Sequence, residues 1–171
     1  MVSGIPGRQP EIYRFFNETN SETDLITVAR AWSHPLLTAF QRDGKTVYLW
    51  TTFSTDQINL NFCNPAVLLE MLDVLLFYAG RFAKIIRLDA IGHTWKEPGT
   101  TCLNLRGAHL LVRVFRAVLN KVFTDALSLT ETNVPHAENI QCFCDGHNEA
   151  QLIYQFLLAG LVLHIFFKGS C

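Results

Sequence analysis

The chain has 171 residues, one domain's worth of material, with 49% apolar and 17% charged residues and a net charge of −1. That balance excludes long disorder, and with no basic block in the sequence nucleic acid is excluded as the main partner, because phosphate contacts need clustered Lys and Arg. Cys63, Cys102, Cys142, Cys144 and Cys171 follow no framework spacing, and the opening MVSGIPGRQP has no apolar signal-peptide core, so free thiols in a cytoplasmic protein are expected.

Residues 1–46 read as loops and short elements, with a turn at Asp43-Gly44. TVYLWTTF, residues 46–53, is β-branched and aromatic and reads as extended. A helix is predicted over 64–81, with Asn64 as N-cap, Pro65 at the first position and Gly80 near the stop. Val67, Leu68, Met71, Leu72, Leu75 and Tyr78 give it one apolar stripe. AKIIRLDAI, residues 83–91, is a strand. Residues 104–123 form a second helix, with apolar positions 110, 111, 114, 115, 118, 119 and 122. DALSLTET (125–132) is a second strand, and AQLIYQF (150–156) a third candidate with a helix after it. The apolar run from Leu152 to Phe167 is too short for a bilayer, which takes roughly 20 residues, and reads as a strand plus a buried helix. No membrane contact is expected.

Helices alternating with strands build parallel sheets with right-handed crossovers. A doubly wound sheet and a (β/α)8 barrel both fit, and both gather chemistry at the C-terminal ends of strands. Asp89 and Glu131 stand there, one strand–helix–strand step apart. Neighbouring strands lie about 4.8 Å apart, and a retaining glycosidase needs two carboxylates roughly 5 Å apart, one to attack the anomeric carbon and one to protonate the leaving oxygen. Arg87 shares Asp89's face of the strand and could orient it, while the more apolar strand around Glu131 suits the acid. The plainer reading makes both carboxylates loop caps or Arg partners.

Other candidates carry less. Cys142, Cys144 and His147 lack a fourth ligand and zinc-knuckle spacing, so no metal is expected. No GxGxxG or phosphate-binding loop is present, which counts against nucleotides. His109, Leu111, Phe115 and Phe123 read as core.

Several stretches carry a resemblance. IIRLDAIGHTWKEPGTTC is similar to the nucleophile region of the alpha-amylase superfamily, glycoside hydrolase family 13, and LTETNVPHAEN to its acid/base region. WTTFSTDQINLNFCNPAVLLEMLDVLLFYAGR and DGHNEAQLIYQF resemble the family's sucrose phosphorylase branch. The resemblance implies a partial (β/α)8 barrel, roughly strands four to six. Residues 1–54 would end an inserted loop domain, and 55–171 would form the truncated centre of the barrel. It implies Asp89 as nucleophile, Glu131 as acid/base and Arg87 as support, with Lys96, His136, Gln57 and Asn61 lining donor or acceptor subsites. The substrates implied are an α-glucoside such as sucrose and inorganic phosphate, with no organic cofactor. A hydrolase of the same superfamily, or a non-catalytic remnant, is the alternative.

The departures are specific. The family's third carboxylate, an Asp following a His on a later strand, has no counterpart, because no His-Asp pair occurs in this sequence. Cys144 and Asn148 stand where relatives carry Gly and Asp, Arg106-Gly107 replaces Pro-Gln, and LLAGLVLH replaces PLPPLVLH. A truncated reading frame, inactive alone, is the expectation.

Overall fold

The computed structural model describes residues 35–132 and 147–169, together with the backbone of 18–19. The described elements, in order, are β1 (Glu18–Thr19), β2 (Leu37–Arg42), β3 (Lys45–Trp50), α1 (Pro65–Gly80), β4 (Ile85–Leu88), a 3-10 turn (Ile91–His93), α2 (Arg106–Val122), β5 (Leu127–Thr130), β6 (Leu152–Ile153) and α3 (Phe156–Lys168). The chain divides into two compact units, residues 1–73 with 93–105, and 74–92 with 106–171.

The first unit holds an antiparallel sheet of order β1-β3-β2. β2 and β3 form a hairpin closed by Asp43 and Gly44, at φ 51° and 75°. Positive φ at both central residues matches the turn's twist to that of the strands. β2 falls in a region expected to hold only loops and short pieces. It forms because β3 pairs with it over its whole length, from Leu37↔Trp50 to Arg42↔Lys45. The core is Leu37, Trp50 and the fully buried Cys102, with Leu36 against them. The Cys102 thiol stands 3.3 Å from the Glu97 carbonyl and accepts the Glu97 N–H, closing the loop between them. Buried Thr51 fixes the strand exit, its N–H reaching the Leu36 carbonyl at 2.9 Å.

The second unit is built on a parallel sheet of order β4-β5-β6, with Leu88↔Thr130 and Thr130↔Ile153 in register. α2 is the crossover between β4 and β5. It therefore runs antiparallel to them and begins at the end of the sheet where the strands finish. Its buried face is Gly107, Ala108, Leu111, Val112, Phe115 and Leu119. Central β5 buries Ser128 and Thr130, and Gln151 satisfies Ser128 by accepting its N–H and hydroxyl at 2.9 and 2.8 Å.

Three expectations need correction. Leu110, Val114 and Val122 of α2 are exposed, because Gly107, Ala108 and Val112 rotate the buried stripe. Small residues allow the closer approach on that side. Tyr78 of α1 is exposed, and Ala79 is buried in its place. α3 is capped at both ends, by Gln155 accepting the Leu157 N–H and by Gly169 donating to the Ile165 carbonyl, yet it has no buried residue. The buried helix expected there is an exposed one, with Phe166 and Phe167 83% and 85% accessible. No helix among the described residues is long and apolar enough to cross a membrane.

Candidate active site

Asp89 and Glu131 are the first residues past β4 and β5. The in-register pair Leu88↔Thr130 sets both acids at the same height on adjacent strands. Glu131 is held at three points by the β4 exit. Its N–H donates to the Leu88 carbonyl at 3.0 Å, its carbonyl accepts the Ile91 N–H at 3.2 Å, and Oε2 accepts the Ala90 N–H at 2.9 Å. Ala90 has φ 46°, a left-handed conformation that costs a non-glycine residue about 1–2 kcal/mol. That turn aims its N–H at the Glu131 carboxylate.

Arg87 joins the two acids. One guanidinium nitrogen stands 2.8 Å from Asp89 Oδ1 and 3.7 Å from Glu131 Oε2. These two legs cap the separation of the carboxylate oxygens at about 6.5 Å, the short end of the inverting range and compatible with the roughly 5–5.5 Å of a retaining pair. The Arg87 guanidinium also lies over the Tyr154 ring at 5.5 Å, and the Tyr154 N–H continues the β6 ladder to the Thr130 carbonyl. Asp89 is open to solvent at 70%, whereas the Glu131 side chain is 14% exposed. Two carboxylates in unlike surroundings can take unlike roles. The surroundings of Glu131 are less apolar than expected, since they include a guanidinium and a backbone N–H.

Gln57, Asn61 and Lys96 belong to the first unit. Gln57 accepts the Ser54 hydroxyl at 3.1 Å and Asn61 accepts the Cys63 N–H at 3.1 Å, so both bind their own turns. Lys96 is the least ordinary of the three. Its Nζ donates to Thr52 Oγ1 at 3.3 Å and lies 5.1 Å from the Trp50 ring, while the buried Thr52 donates its own hydroxyl to Asn59 Oδ1 at 2.8 Å. Burial lowers the Lys96 pKa to about 8, against an opposing contribution from Cys102. His93 stands edge-on to Phe53, and its buried Nδ1 has no hydrogen-bond partner among the described residues. Burial first, then the charge of Lys96, lowers His93 to about 4.

His136 lies outside the described residues, as do Cys142 and Cys144; His147 is exposed. Among the described residues no group of side chains could hold a metal ion. His109 is partly buried, as expected, and its contacts are polar. Its Nδ1 stands 3.0 Å from Glu149 Oε1, which also accepts from Arg113 Nε at 3.1 Å. Sequence reading passed over Thr52, Asn59, His93, Glu149 and Tyr154. Only His93 and Tyr154, close in sequence to Asp89 and to the β6 end, left a signal that could have been followed.

No protein-family model matches the chain. It is 50% identical over 161 residues to the glucosylglycerate phosphorylase of Allomeiothermus silvanus, covering 94% of this chain and 29% of that protein. It is 49% identical over 158 residues to the Escherichia coli glucosylglycerate phosphorylase, covering 92% and 28%. The fold matches a crystal structure of sucrose 6F-phosphate phosphorylase from Thermoanaerobacter thermosaccharolyticum at TM-score 0.79 and 21% identity, over 96% of this chain and 35% of that one. Sucrose phosphorylase and trehalose synthase are further homologues. The chain thus spans under a third of the length of the two curated glucosylglycerate phosphorylases.

Proposed function

From a chain whose homologues are enzymes of glycoside hydrolase family 13, we propose that this sequence carries the nucleophile and the acid/base of a retaining glucosyl transfer to phosphate. The observation that supports it is the single Arg87 nitrogen within 2.8 Å of Asp89 and 3.7 Å of Glu131 at adjacent strand ends. In this reading Asp89 attacks the anomeric carbon of an α-glucoside as Glu131 protonates the departing oxygen. The glycosidic bond breaks and a β-glucosyl ester forms on Asp89. A phosphate oxygen then attacks the same carbon from the face the leaving group vacated, surrendering its proton to Glu131. Two inversions give α-glucose 1-phosphate with retention and restore both carboxyl groups. Arg87 holds the nucleophile in line, and Lys96, Gln57, Asn61 and His136 are the proposed subsite residues.

The donor proposed is the glucoside of glycerate ahead of sucrose. Identity to the glucosylglycerate phosphorylases is 48–50%, against 29% to the sucrose phosphorylase of Agrobacterium vitis. The third carboxylate of the mechanism has no counterpart in this sequence, where no His-Asp pair occurs, so the isolated chain is expected to be inactive.

The test has two arms. The isolated chain, given glucosylglycerate or sucrose with phosphate, should release no glucose 1-phosphate. The second arm inserts this sequence into the E. coli glucosylglycerate phosphorylase in place of its matching stretch. That chimera should phosphorolyse glucosylglycerate and lose at least 1,000-fold of its rate on Asp89→Asn, an order of magnitude consistent with removing a covalent nucleophile. A folded chimera whose rate ignores Asp89→Asn and Glu131→Gln overturns the assignment.

A further inference from the structure

We propose that Tyr154 is a positioning residue for the glucosyl transfer: its ring confines the Arg87 guanidinium, which sets Asp89 beside Glu131, an inference that rests on reading those acids as nucleophile and acid/base. Asp89, Glu131 and Tyr154 are the first residues past β4, β5 and β6. Leu88↔Thr130 and Thr130↔Ile153 are in register, so the three stand level on adjacent strands, with their side chains on one face of the sheet. The Glu131 N–H donates to the Leu88 carbonyl at 3.0 Å, and the Tyr154 N–H to the Thr130 carbonyl at 2.8 Å. The bond that levels Glu131 against β4 is thus repeated one strand further on, for Tyr154 against β5.

Arg87 lies two residues before Asp89, on the same face of β4, and its guanidinium meets all three side chains. One nitrogen stands 2.8 Å from Asp89 Oδ1 and 3.7 Å from Glu131 Oε2, and the guanidinium carbon lies over the Tyr154 ring, 5.5 Å from its centroid. The ring is supported in turn by Phe156, the first residue of α3, whose ring is 5.0 Å away and tilted by 59°.

The ring matters because the ion pair cannot hold itself. The Arg87 and Asp89 side chains are 46% and 70% exposed, and an exposed pair gains too little to fix two side chains in one geometry. Among the described residues Arg87 is the sole ion-pair partner of Asp89, so whatever confines the guanidinium confines the carboxylate. A guanidinium within about 6 Å of a ring centroid is drawn to the aromatic face, and two flat groups in contact restrict each other's planes. A reacting group misplaced by about 1 Å can cost roughly 100-fold in rate, so loss of the ring should register in kcat. With Arg87 over it, that face of the ring is not offered to a sugar, and KM should hardly move.

The kinetic test uses the E. coli glucosylglycerate phosphorylase chimera that carries this sequence. Tyr154→Leu should lower kcat by at least about fivefold, the rate equivalent of one exposed cation–π contact, with KM changed less than about twofold. Tyr154→Phe, which keeps the ring, should retain at least about half of kcat. In an Arg87→Ala background Tyr154→Leu should cost less than about twofold more, because a residue acting through Arg87 then has nothing to act on. Tyr154 is itself 43% exposed, so neither change opens a buried cavity. In the full isolated chain, the Arg87 δ-protons should show an upfield ring-current shift by NMR that survives Tyr154→Phe and vanishes in Tyr154→Leu. A raised KM at unchanged kcat, additive losses with Arg87→Ala, a Tyr154→Phe variant as slow as Tyr154→Leu, or Arg87 δ-protons indifferent to Tyr154→Leu each overturns the proposal. Rates that fall with Asp89→Asn but ignore Tyr154→Leu overturn the positioning role alone, whereas rates that ignore Asp89→Asn overturn the nucleophile with it.

Discussion

Replacing Lys96 by Met should stabilise the protein at neutral pH. Burial moves the Lys96 pKa from 10.5 in the unfolded chain to about 8 in the fold. A depressed lysine pKa means that the folded state sheds the proton first. Between about pH 8 and 10.5 the unfolded state holds more protons, so wild-type stability climbs with pH across that window. Below pH 8 both states are charged, and the fold carries the whole penalty of the buried ammonium. At 1.36 kcal/mol per pKa unit that penalty is about 3 kcal/mol. Met fills similar volume without the charge, but gives up the 3.3 Å hydrogen bond to Thr52, worth about 1 kcal/mol. The net expectation is about 2 kcal/mol of stabilisation at pH 7, shrinking to nothing or reversing at pH 10. Urea unfolding followed by tryptophan fluorescence reports it directly, because Trp50 lies 5.1 Å from Nζ. A variant less stable than wild type at pH 7, or one with the same rise between pH 8 and 10, refutes the argument. A stabilised variant would also mark Lys96 as a residue kept at a cost, which is the usual signature of a binding or catalytic role.

The remaining expectations are simpler to test. His93 stays neutral in the fold, with its pKa lowered from 6.5 to about 4, so the unfolded state takes up the proton first as pH falls; the stability contribution is complete above pH 6.5 and lost on the way to pH 4. His93→Phe should remove up to about 3 kcal/mol of that acid loss, read as a flatter midpoint-against-pH curve between pH 6.5 and 4. Leu119→Ala, at a fully buried position of α2, should cost about 2–5 kcal/mol in urea unfolding; a change under 1 kcal/mol would mean the second unit has no fixed core. Gly44→Ala should cost about 1 kcal/mol, since φ is +75° and nothing lies within 4 Å of the added Cβ, leaving backbone strain as the whole effect; Gly44→Asn should cost less.

The sequence made the helices legible because their punctuation is local. Pro65 at the first helical position and Gly80 at the last bracket α1 as predicted. β4 and β5 were equally plain, as apolar runs alternating with helical periodicity, and their acids sit where the runs end. Packing was less legible. Counting large apolar residues put Leu110, Val114 and Val122 inside, whereas the fold turns Gly107 and Ala108 inward, since a helix packs closest on its small side. α3 is apolar all round, so its sequence asks for burial that no described neighbour supplies. Least legible were the environments of Lys96 and His93. Thr52, Asn59 and Phe53 reach them through tertiary contacts that no spacing rule encodes.

The two acids differ in how much of their geometry is local. Glu131 is clamped to the β4 exit by its own N–H, carbonyl and carboxylate, and the Thr130↔Leu88 register fixes the level at which those bonds form. Slipping β5 by one residue would carry Glu131 about 3.3 Å along the strand, turn its side chain to the other face, and break all three bonds together. Asp89 is tied by one ion pair to Arg87, with both side chains substantially exposed, and such a pair is worth at most about 1 kcal/mol. The sheet therefore fixes Glu131 by its own backbone bonds, while Asp89, held by an exposed ion pair, keeps more rotamer freedom. A rate loss from Arg87→Ala should accordingly appear as misplacement of Asp89, rescued in part by Arg87→Lys, whereas the backbone bonds of Glu131 persist in both variants. Amide hydrogen exchange at Glu131 that speeds up in Arg87→Ala would contradict this division.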